Sequence, residues 1–319
     1  MNEKFTIGID AGGTKVAYGL FDGSGALVAR SQQPTDAGAD GPAFSDAIIE
    51  AIKALMRGRG LDIDALDGVG ICMPSFILYD IGRILMTSAI PRIKDFDMLA
   101  YLKERLPSHV GIVLDNDANA AAIAEHRRGA GRGARHMVYI VLGTGLGSGI
   151  IIDGKLFHGS YGWAGECGHM LATPGAGIMC GCENRGCFMS YTAGMALGER
   201  VRLRLGGGGK SILADGVVDG EALLAAYNAG DALAADVIGD MAHYLAVCLY
   251  NIYQMLNIDT YVFGGGLANL GEALFSRVRA EFDRFDHIHA PVHFKMAEMT
   301  QDAGIIGAAE FVRGNDIYE

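Results

Sequence analysis

A histidine and four cysteines lie close together in the segment "WAGECGHMLATPGAGIMCGCENRGCFMS", residues 163–190. Cys180, Cys182 and Cys187 follow a C-x-C-x4-C spacing, and His169 lies upstream at a distance that one loop spans. Three thiolates and an imidazole complete a tetrahedral zinc site with no open position, which is typical of a structural ion. The spacing therefore predicts a structural Zn²⁺ on these four residues, against the alternative of reduced cysteines without a metal. Cys167 would be a fifth ligand and is left out of the predicted set.

Two glycine-rich turns, each between a pair of predicted strands, form a second chemical feature. The first is "DAGGTK", residues 10–15, and the second is "GTGLGSG", residues 143–149. Residues without Cβ let backbone N–H groups approach an anion closely, so two such turns suit a polyphosphate, against the alternative of plain hairpin turns. A Rossmann motif would have to open a helix, whereas "SGIIIDG" continues as a strand and turn. The P-loop pattern GxxxxGK[ST] is absent from the sequence.

Carboxylates are concentrated in "VLDNDANAAA", residues 113–122. The apolar run before them predicts a strand, and the alanine-rich run after them predicts a helix. The junction between a strand and a helix is a rigid position for a carboxylate that accepts a proton.

Composition and charge limit the partners. The chain of 319 residues is 50% hydrophobic and carries a formal net charge of -11, which argues against the broad basic surface that nucleic acids require. The N-terminal apolar run is too short for a signal peptide, and the apolar segment 241–256 is interrupted by polar residues and falls short of a membrane span. We therefore expect a cytoplasmic protein with a small-molecule partner and neither a nucleic acid nor a membrane as partner.

The elements that must position these residues alternate between strands and helices. Segments 5–30 and 137–158 share one order: strand, glycine-rich turn, strand, Asp-Gly turn, third strand. Helices are predicted over 43–60, 97–106, 269–282 and 303–313, and strands over 66–76, 110–115, 260–267 and 291–297. The internal similarity predicts two related α/β domains with a cleft between them.

Six motifs occur in the order seen in ROK-family sugar kinases, which the sequence resembles over most of its length. They are "DAGGTK" (10–15), "DNDANAAAIAE" (115–125), "LGTGLGSG" (142–149), "AGECGH" (164–169), "CGCENRGC" (180–187) and "FGGGL" (263–267). The resemblance implies an α/β protein with the actin-like ATPase fold (ribonuclease H-like) and a zinc-stabilised loop. Its smaller domain would comprise 1–115 with the C-terminal helix at about 303–319, and its larger domain 116–302.

The resemblance also implies the roles of individual residues. Asp117 would be the general base, and Asn116, Glu166 and His169 would contact the sugar, His169 serving as zinc ligand as well. Asp10 is the candidate for acting near Mg²⁺ through water, with a turn-forming aspartate as the alternative. The residues implied in binding ATP are Asp10, Gly12, Gly13, Thr14, Lys15, Gly143, Thr144, Gly145, Gly264, Gly265 and Gly266.

The motifs and the family resemblance together predict a homodimeric kinase. It would transfer the γ-phosphoryl group of ATP to the 6-hydroxyl of a hexose or N-acetylhexosamine. Two alternatives come with the family. A ROK transcriptional repressor carries a helix-turn-helix domain before the first glycine-rich strand, whereas this strand begins within five residues of the start. A sugar-binding pseudokinase is disfavoured by the intact "DAGGTK" and Asp117.

Three departures from the family pattern fall in the sugar pocket. Met189 stands where the family commonly has a glutamate that touches the sugar, Ser75 replaces the glycine of a Pro-Gly pair, and Ala89 replaces an asparagine. "DAGIIGAAEF" and "AVCLYNI" resemble the N-acetylglucosamine kinase branch, while the Pro74-Ser75 pair resembles the allose kinase branch. The sugar therefore stays open between these classes.

Overall fold

The computed structural model describes residues 4–208, 210–299 and 301–314. The chain divides into two compact units. The first comprises 1–136, 149–165 and 298–319, and the second comprises 137–148 and 166–297.

Strands and helices alternate along the chain as the sequence predicts. The strands are β1 (Phe5–Ala11), β2 (Lys15–Phe21), β3 (Leu27–Pro34), β4 (Leu66–Met73), β5 (Ser75–Leu78), β6 (Arg83–Thr87), β7 (Lys94–Asp97), β8 (Gly111–Asn116), β9 (Met137–Leu142), β10 (Leu146–Ile152), β11 (Lys155–Leu156), β12 (Thr260–Gly264) and β13 (His293–Met296). The helices are α1 (Gly41–Gly58), α2 (Met98–Lys103), α3 (Asp117–Arg128), α4 (Met189–Thr192), α5 (Leu197–Gly206), α6 (Gly220–Asn228), α7 (Ala232–Leu256), α8 (Glu272–Phe285) and α9 (Ala303–Arg313). The predicted order of strand, turn, strand, turn and strand is confirmed in both segments.

The first unit is built on a five-stranded sheet of order β3-β2-β1-β4-β8. β1 is antiparallel to β2 and parallel to β4, and β4 is parallel to β8. Helix α9 lies directly on this sheet: a Cβ on Gly8 would fall 1.8 Å from the Ile305 carbonyl oxygen, and one on Gly70 would fall 1.6 Å from that of Ala308. The C-terminal helix and the N-terminal strands therefore share one core.

A small antiparallel sheet of order β5-β6-β7 follows β4 in the first unit. The sequence predicts no strands over 77–97. β5 and β7 have only four residues each and β6 five, which is too short for a clear alternating pattern. β5 begins at Ser75 and lies close to β8, since Asn116 Nδ2 donates a hydrogen bond of 3.3 Å to the Ser75 carbonyl. This sheet therefore begins beside the junction of β8 and α3.

The second five-stranded sheet has the order β11-β10-β9-β12-β13, with β12 parallel to both β9 and β13. In the second unit α7 presents a buried face that includes Val237, Met241, Leu245 and Leu249. By length and composition α7 is the one helix among the described residues that a membrane could accommodate, and 56% of its most apolar window is buried inside the protein. Burial of this extent is typical of the core helix of a folded protein.

The division into compact units places α3 with the N-terminal strands. A Cβ on Gly307 of α9 would lie 1.8 Å from the Ala120 carbonyl oxygen, so α3 and α9 are in backbone contact. The domains of the sequence analysis, 1–115 with about 303–319 and 116–302, stay a prediction, because compactness alone does not define a domain.

Candidate functional site

The junction of β8 and α3 holds Asn116 and Asp117. Asn116 is the N-cap of α3, and its Oδ1 accepts a hydrogen bond of 2.8 Å from Ala118 N. Asp117 is the first residue of the helix, where the partial positive charge of the helix N-terminus favours a carboxylate. One cap therefore fixes both the amide and the carboxylate at the end of a strand, as the sequence predicts.

The carboxylates of Asp10, Asp115 and Asp117 lie around Cys72 beside this junction. The strand registers pair Asp10 with Cys72 and Cys72 with Asp115, so these residues lie side by side across β1, β4 and β8. Burial raises the pKa of the Cys72 thiol well above its usual value, and the negative charges of Asp10, Asp117 and Asp115 raise it further. Burial also raises the pKa of Asp10, while the hydrogen bond from Cys72 and the charge of Lys15 oppose that shift. The ends of these parallel strands therefore form an acidic group of three.

The first glycine-rich turn joins β1 to β2 in the same unit. Gly12 N donates a hydrogen bond of 3.0 Å to the Lys15 carbonyl, and Thr35 Oγ1 donates one of 2.7 Å to the Gly12 carbonyl. Gly13, Thr14 and Lys15 are exposed. The base of the turn is thus fixed by hydrogen bonds, while its outer residues face solvent. Ala89 lies beside it, with its Cα 3.7 Å from the position of a Cβ on Gly13.

In the second unit, the "GTG" and "GGG" turns lie at neighbouring strand ends. β9 and β12 are parallel partners, with Val141 paired to Gly264. A Cβ on Gly264 would lie 2.1 Å from the Tyr139 hydroxyl, and one on Gly265, at φ +89°, would lie 2.3 Å from the Leu142 carbonyl oxygen. A Cβ on Gly266 would meet no described atom within 4 Å. Close packing against β9 therefore explains Gly264 and Gly265, while Gly266 is the open position of this turn.

The "GTG" turn is held by the chain that follows α4. Gly194 N donates to the Gly143 carbonyl at 2.9 Å, and Met195 N donates to the Thr144 carbonyl at 3.1 Å. A hydrogen bond of 3.0 Å from Gly143 N to the Gly145 carbonyl closes the turn. The turn is therefore rigid before any ligand arrives.

Glu166 and His169 flank a single turn of 3₁₀-helix at 167–169, which packs on the start of β10. A Cβ on Gly168 would lie 2.2 Å from the Leu146 carbonyl oxygen. Glu166 Oε2 lies 4.0 Å from His169 Nε2. Burial raises the pKa of Glu166, and the nearby His169 opposes that shift. The two predicted sugar contacts are thus neighbours, fixed next to the "GTG" turn.

The four predicted metal ligands come together. The ligand atoms of His169, Cys180, Cys182 and Cys187 all lie within 4.8 Å of one another. Cys180 Sγ is 3.7 Å from His169 Nδ1, and Cys182 Sγ is 3.6 Å from Cys187 Sγ. With Zn–S bonds of about 2.3 Å, the edge of a ZnS₄ tetrahedron is about 3.8 Å. The donor set therefore has the identity, number and spacing of a closed zinc site.

Cys182 and Cys187 in this cluster differ in pKa. Burial opposes ionisation of Cys182, but hydrogen bonds from the Asn184 backbone, Cys180 and neighbouring groups lower its pKa to about 6. Burial and the neighbouring thiols raise the pKa of Cys187 to about 12. Mutual repulsion opposes the ionisation of neighbouring thiols, and a bound cation would offset that repulsion.

The remaining cysteines are core residues. Cys72 and Cys248 lie in apolar runs of the sequence and are fully buried. Cys167 is buried as well and is hydrogen-bonded to Cys248 and Ser148. This position in the core agrees with leaving Cys167 out of the predicted zinc ligands.

A buried contact between His158 and Asp115, beside the junction of β8 and α3, is a feature that no pattern in the sequence indicates. His158 Nε2 lies 2.7 Å from Asp115 Oδ2, and the two side chains are 3% and 2% exposed. The other oxygen of Asp115 accepts hydrogen bonds from Asn116 N and Asn119 Nδ2. Asp115 therefore holds Asn116 in place. Its partner follows 43 positions later, and no local pattern links the two.

Met189, which the resemblance assigns to the sugar pocket, lies in the second unit. Its Cε lies 3.6 Å from the position of a Cβ on Gly145 and 3.0 Å from that of a Cβ on Gly168. The thioether therefore lies between the "GTG" turn and the turn that carries Glu166 and His169.

A cavity of about 640 Å³ in the second unit is lined by Met179, Arg185, Tyr191 and Asp240, among others. None of the predicted site residues lines it. Its position therefore adds nothing to the candidate active site.

Comparisons with known proteins agree with the fold. The chain is 30% identical over 320 residues to a glucokinase of Halalkalibacterium halodurans, covering 98% of this chain and 96% of that protein. It is 30% identical over 321 residues to an N-acetylmannosamine kinase of Salmonella paratyphi B, covering 98% and 99%. The crystal structure of a ROK family glucokinase from Streptomyces griseus with glucose and AMPPNP superposes with a TM-score of 0.77 at 29% identity, covering 97% and 99%.

The sheets, their glycine-rich turns and these likenesses define a protein of the actin-like ATPase fold, which confirms the predicted fold class. The model of the ROK family matches residues 6–315. The chain belongs to the ROK family, as the six motifs predicted.

Proposed function

We propose that this chain is an ATP-dependent sugar kinase that phosphorylates the 6-hydroxyl of a hexose or N-acetylhexosamine, with Asp117 as general base. The class of enzyme is supported by the family and by relatives named glucokinase and N-acetylmannosamine kinase. The observation that carries the proposal is the junction of β8 and α3, where one helix cap fixes Asn116 and Asp117 beside Asp10 and an exposed glycine-rich turn.

Phosphoryl transfer needs positioning, charge stabilisation and an acceptor for the proton of the attacking hydroxyl. Asp117 accepts that proton, and Asn116, held by Asp115 and by the Ser75 carbonyl, orients the hydroxyl. Glu166 and His169 bind other hydroxyls of the sugar. The side chains of Asn116 and Asp117 each accept a hydrogen bond from Ala118 N, so little reorganisation of this pair is needed at the moment of reaction.

The nucleotide is bound by three turns in this proposal. Gly12, Gly13, Thr14 and Lys15 form the turn of the first unit that contacts phosphate, and Gly143, Thr144 and Gly145 form that of the second. Among the three glycines at the end of β12, Gly266 is the one left open for the nucleotide, while Gly264 and Gly265 let the turn approach β9.

Two metal ions belong to the proposal. Zn²⁺ fits His169, Cys180, Cys182 and Cys187, and it would fix the loop from which α4 begins. Mg²⁺, when bound with ATP, would neutralise charge on the phosphate oxygens, and Asp10 is the residue that we propose holds it through water. A cytoplasmic location and a homodimer complete the proposal, and sedimentation analysis tests the dimer.

A coupled assay of ADP release over a panel of hexoses and N-acetylhexosamines tests the function. We expect turnover that requires both ATP and one of these sugars, with the product phosphorylated at C6 by NMR. Absence of sugar-dependent ADP release across the panel would refute the proposed activity.

A further inference from the structure

Three aromatic side chains of the first unit, Phe76, Tyr161 and Trp163, form a surface that the proposed chemistry does not use. The rings of Phe76 and Trp163 meet edge to face with centroids 5.7 Å apart, and those of Tyr161 and Trp163 are tilted at 5.5 Å. Tyr161 is 63% exposed and Trp163 37% exposed. We call these three residues the aromatic surface.

The aromatic surface is connected to the junction of β8 and α3 through two contacts. Phe76 directly follows Ser75, whose carbonyl accepts the hydrogen bond from Asn116 Nδ2. The loop that carries Tyr161 and Trp163 begins at His158, which is bound to Asp115 at 2.7 Å. These contacts are made by Asn116 and Asp115, which precede Asp117 by one and two residues.

The loop from His158 to Ala164 is fixed in shape. Ala164 N donates to the His158 carbonyl at 3.0 Å, and the His158 ring stacks on Tyr79 with centroids 3.9 Å apart and planes 8° from parallel. A Cβ on Gly162, at φ +96°, would lie 2.7 Å from the Ile77 carbonyl oxygen. The aromatic surface is therefore preorganised, and little conformational entropy is lost when a ligand binds it.

Exposed aromatic side chains that form a contiguous group mark a binding surface more often than a solitary exposed ring does. The face of an aromatic ring carries partial negative charge and attracts weakly positive C–H groups. A pyranose ring with equatorial substituents presents such C–H groups on its faces and hydroxyls around its edge, so sugars stack on tryptophan and tyrosine. The polar residues at the junction of β8 and α3 suit the hydroxyls of the reacting ring. The aromatic surface begins at Phe76, the residue after Ser75, whose carbonyl is hydrogen-bonded to Asn116.

We propose that the aromatic surface binds a second pyranose ring linked to the reacting hexose, so that disaccharides and other glycosides are acceptors. This inference rests on the proposed kinase function for the reacting ring. It adds a binding site for the second ring, formed by Phe76, Tyr161 and Trp163. Cellobiose is the probe, because both faces of its flat, equatorially substituted rings can stack.

The chain has a single tryptophan, so emission excited at wavelengths that tyrosine does not absorb reports on Trp163. We expect cellobiose, titrated without ATP, to change the emission of Trp163 saturably, and glucose to change it less. This readout does not depend on turnover, so it separates failure of the inference from failure of the kinase proposal.

Kinetics supply the second readout. In Trp163→Ala and Tyr161→Ala, the ratio of kcat/KM for cellobiose to kcat/KM for glucose should fall by about tenfold. Trp163→Phe should restore most of that ratio, because it keeps an apolar ring. Ile212→Ala, an exposed apolar residue of the second unit, is the matched control and should keep the wild-type ratio.

Two outcomes would overturn the inference. One is an emission of Trp163 that cellobiose leaves unchanged. The other is an unaltered ratio in both alanine variants, with circular dichroism confirming that they fold; if they also sediment as smaller particles, the surface is a contact between copies of the chain.

Discussion

The carboxylate of Asp10 and the thiol of Cys72 face each other across β1 and β4, with 3.8 Å between Oδ1 and Sγ. The first turn of α9 closes over them: Cys72 Sγ lies 3.5 Å from the Gly304 carbonyl, and a Cβ on Gly304 would fall 2.4 Å from Asp10 Oδ2. Burial therefore raises the pKa of Asp10, and an ionised Asp10 costs the folded protein stability. A cationic ligand that offsets this cost would bind more tightly for the same reason.

Asp10→Asn should change the dependence of stability on pH. The pKa of Asp10 is higher in the folded protein than the unfolded value of about 3.9, so the folded protein loses stability as pH rises from the unfolded pKa through the folded one. The asparagine variant lacks that loss. Its free energy of unfolding, measured by urea without ATP or Mg²⁺, should therefore rise relative to wild type between about pH 4 and pH 7. A difference between variant and wild type that is constant over this range would contradict the prediction.

Asp117→Asn should preserve folding and sugar binding while lowering kcat by about 10²–10⁴-fold, as expected when a general base is lost. The amide keeps the size of the side chain at the first position of α3 but accepts no proton. Asp40→Asn is a matched control, because Asp40 is the N-cap of α1 and asparagine caps a helix equally well. A variant at 117 that retains more than about a tenth of wild-type kcat would rule out the assigned role.

Local signals in the sequence identified much of the candidate site, and contacts between distant residues account for what they missed. The glycine-rich turns, the strand-to-helix junction at 115–117 and the cysteine spacing each lie within about ten residues, where turn chemistry and helix boundaries are local. The pair of Asp115 with His158 joins positions 43 apart through packing. No property of either residue alone specifies such a pair.

Glycines show the same division between local and distant causes. The run at 264–266 reads as one nucleotide-binding turn in the sequence. In the structure Gly264 and Gly265 are required by close contact with Tyr139 and Leu142 on the neighbouring strand. Sequence spacing alone does not distinguish a glycine that admits a ligand from one that admits another strand.

One zinc ion per chain is the expected metal content of the purified protein, measured by elemental analysis. Cys182→Ser should lower that content and weaken sugar binding together, because the loop that ends at Cys187 leads directly into α4 and the "GTG" turn rests on the chain after α4. Cys248→Ser removes a buried cysteine outside the ligand set and should leave the zinc content unchanged. Freshly purified wild-type protein without zinc would disprove the site.

The position of Met189 predicts a change in sugar preference. Its Cε lies between the "GTG" turn and the turn carrying Glu166 and His169, so a carboxylate of similar length would reach the same space. A thioether offers a sugar hydroxyl only apolar contact and weak acceptance, whereas a hydrogen bond to a charged acceptor is worth about 1.5–3 kcal/mol. Met189→Glu should therefore raise kcat/KM for glucose or N-acetylglucosamine, relative to the native substrate, by about ten- to a hundredfold.

Met189→Leu separates the hydrogen bond from the packing, because leucine keeps the apolar contact with Gly145 and Gly168 and adds no acceptor. Its specificity profile over the sugar panel should match that of the wild type, while the glutamate variant should depart from both. Zinc content must equal that of the wild type in each variant, since α4 begins two residues after the ligand Cys187 and a disturbed loop would lower activity on every sugar alike. Identical profiles for wild type and Met189→Glu, with zinc retained, would show that Met189 only packs and that another group or water satisfies the hydroxyl.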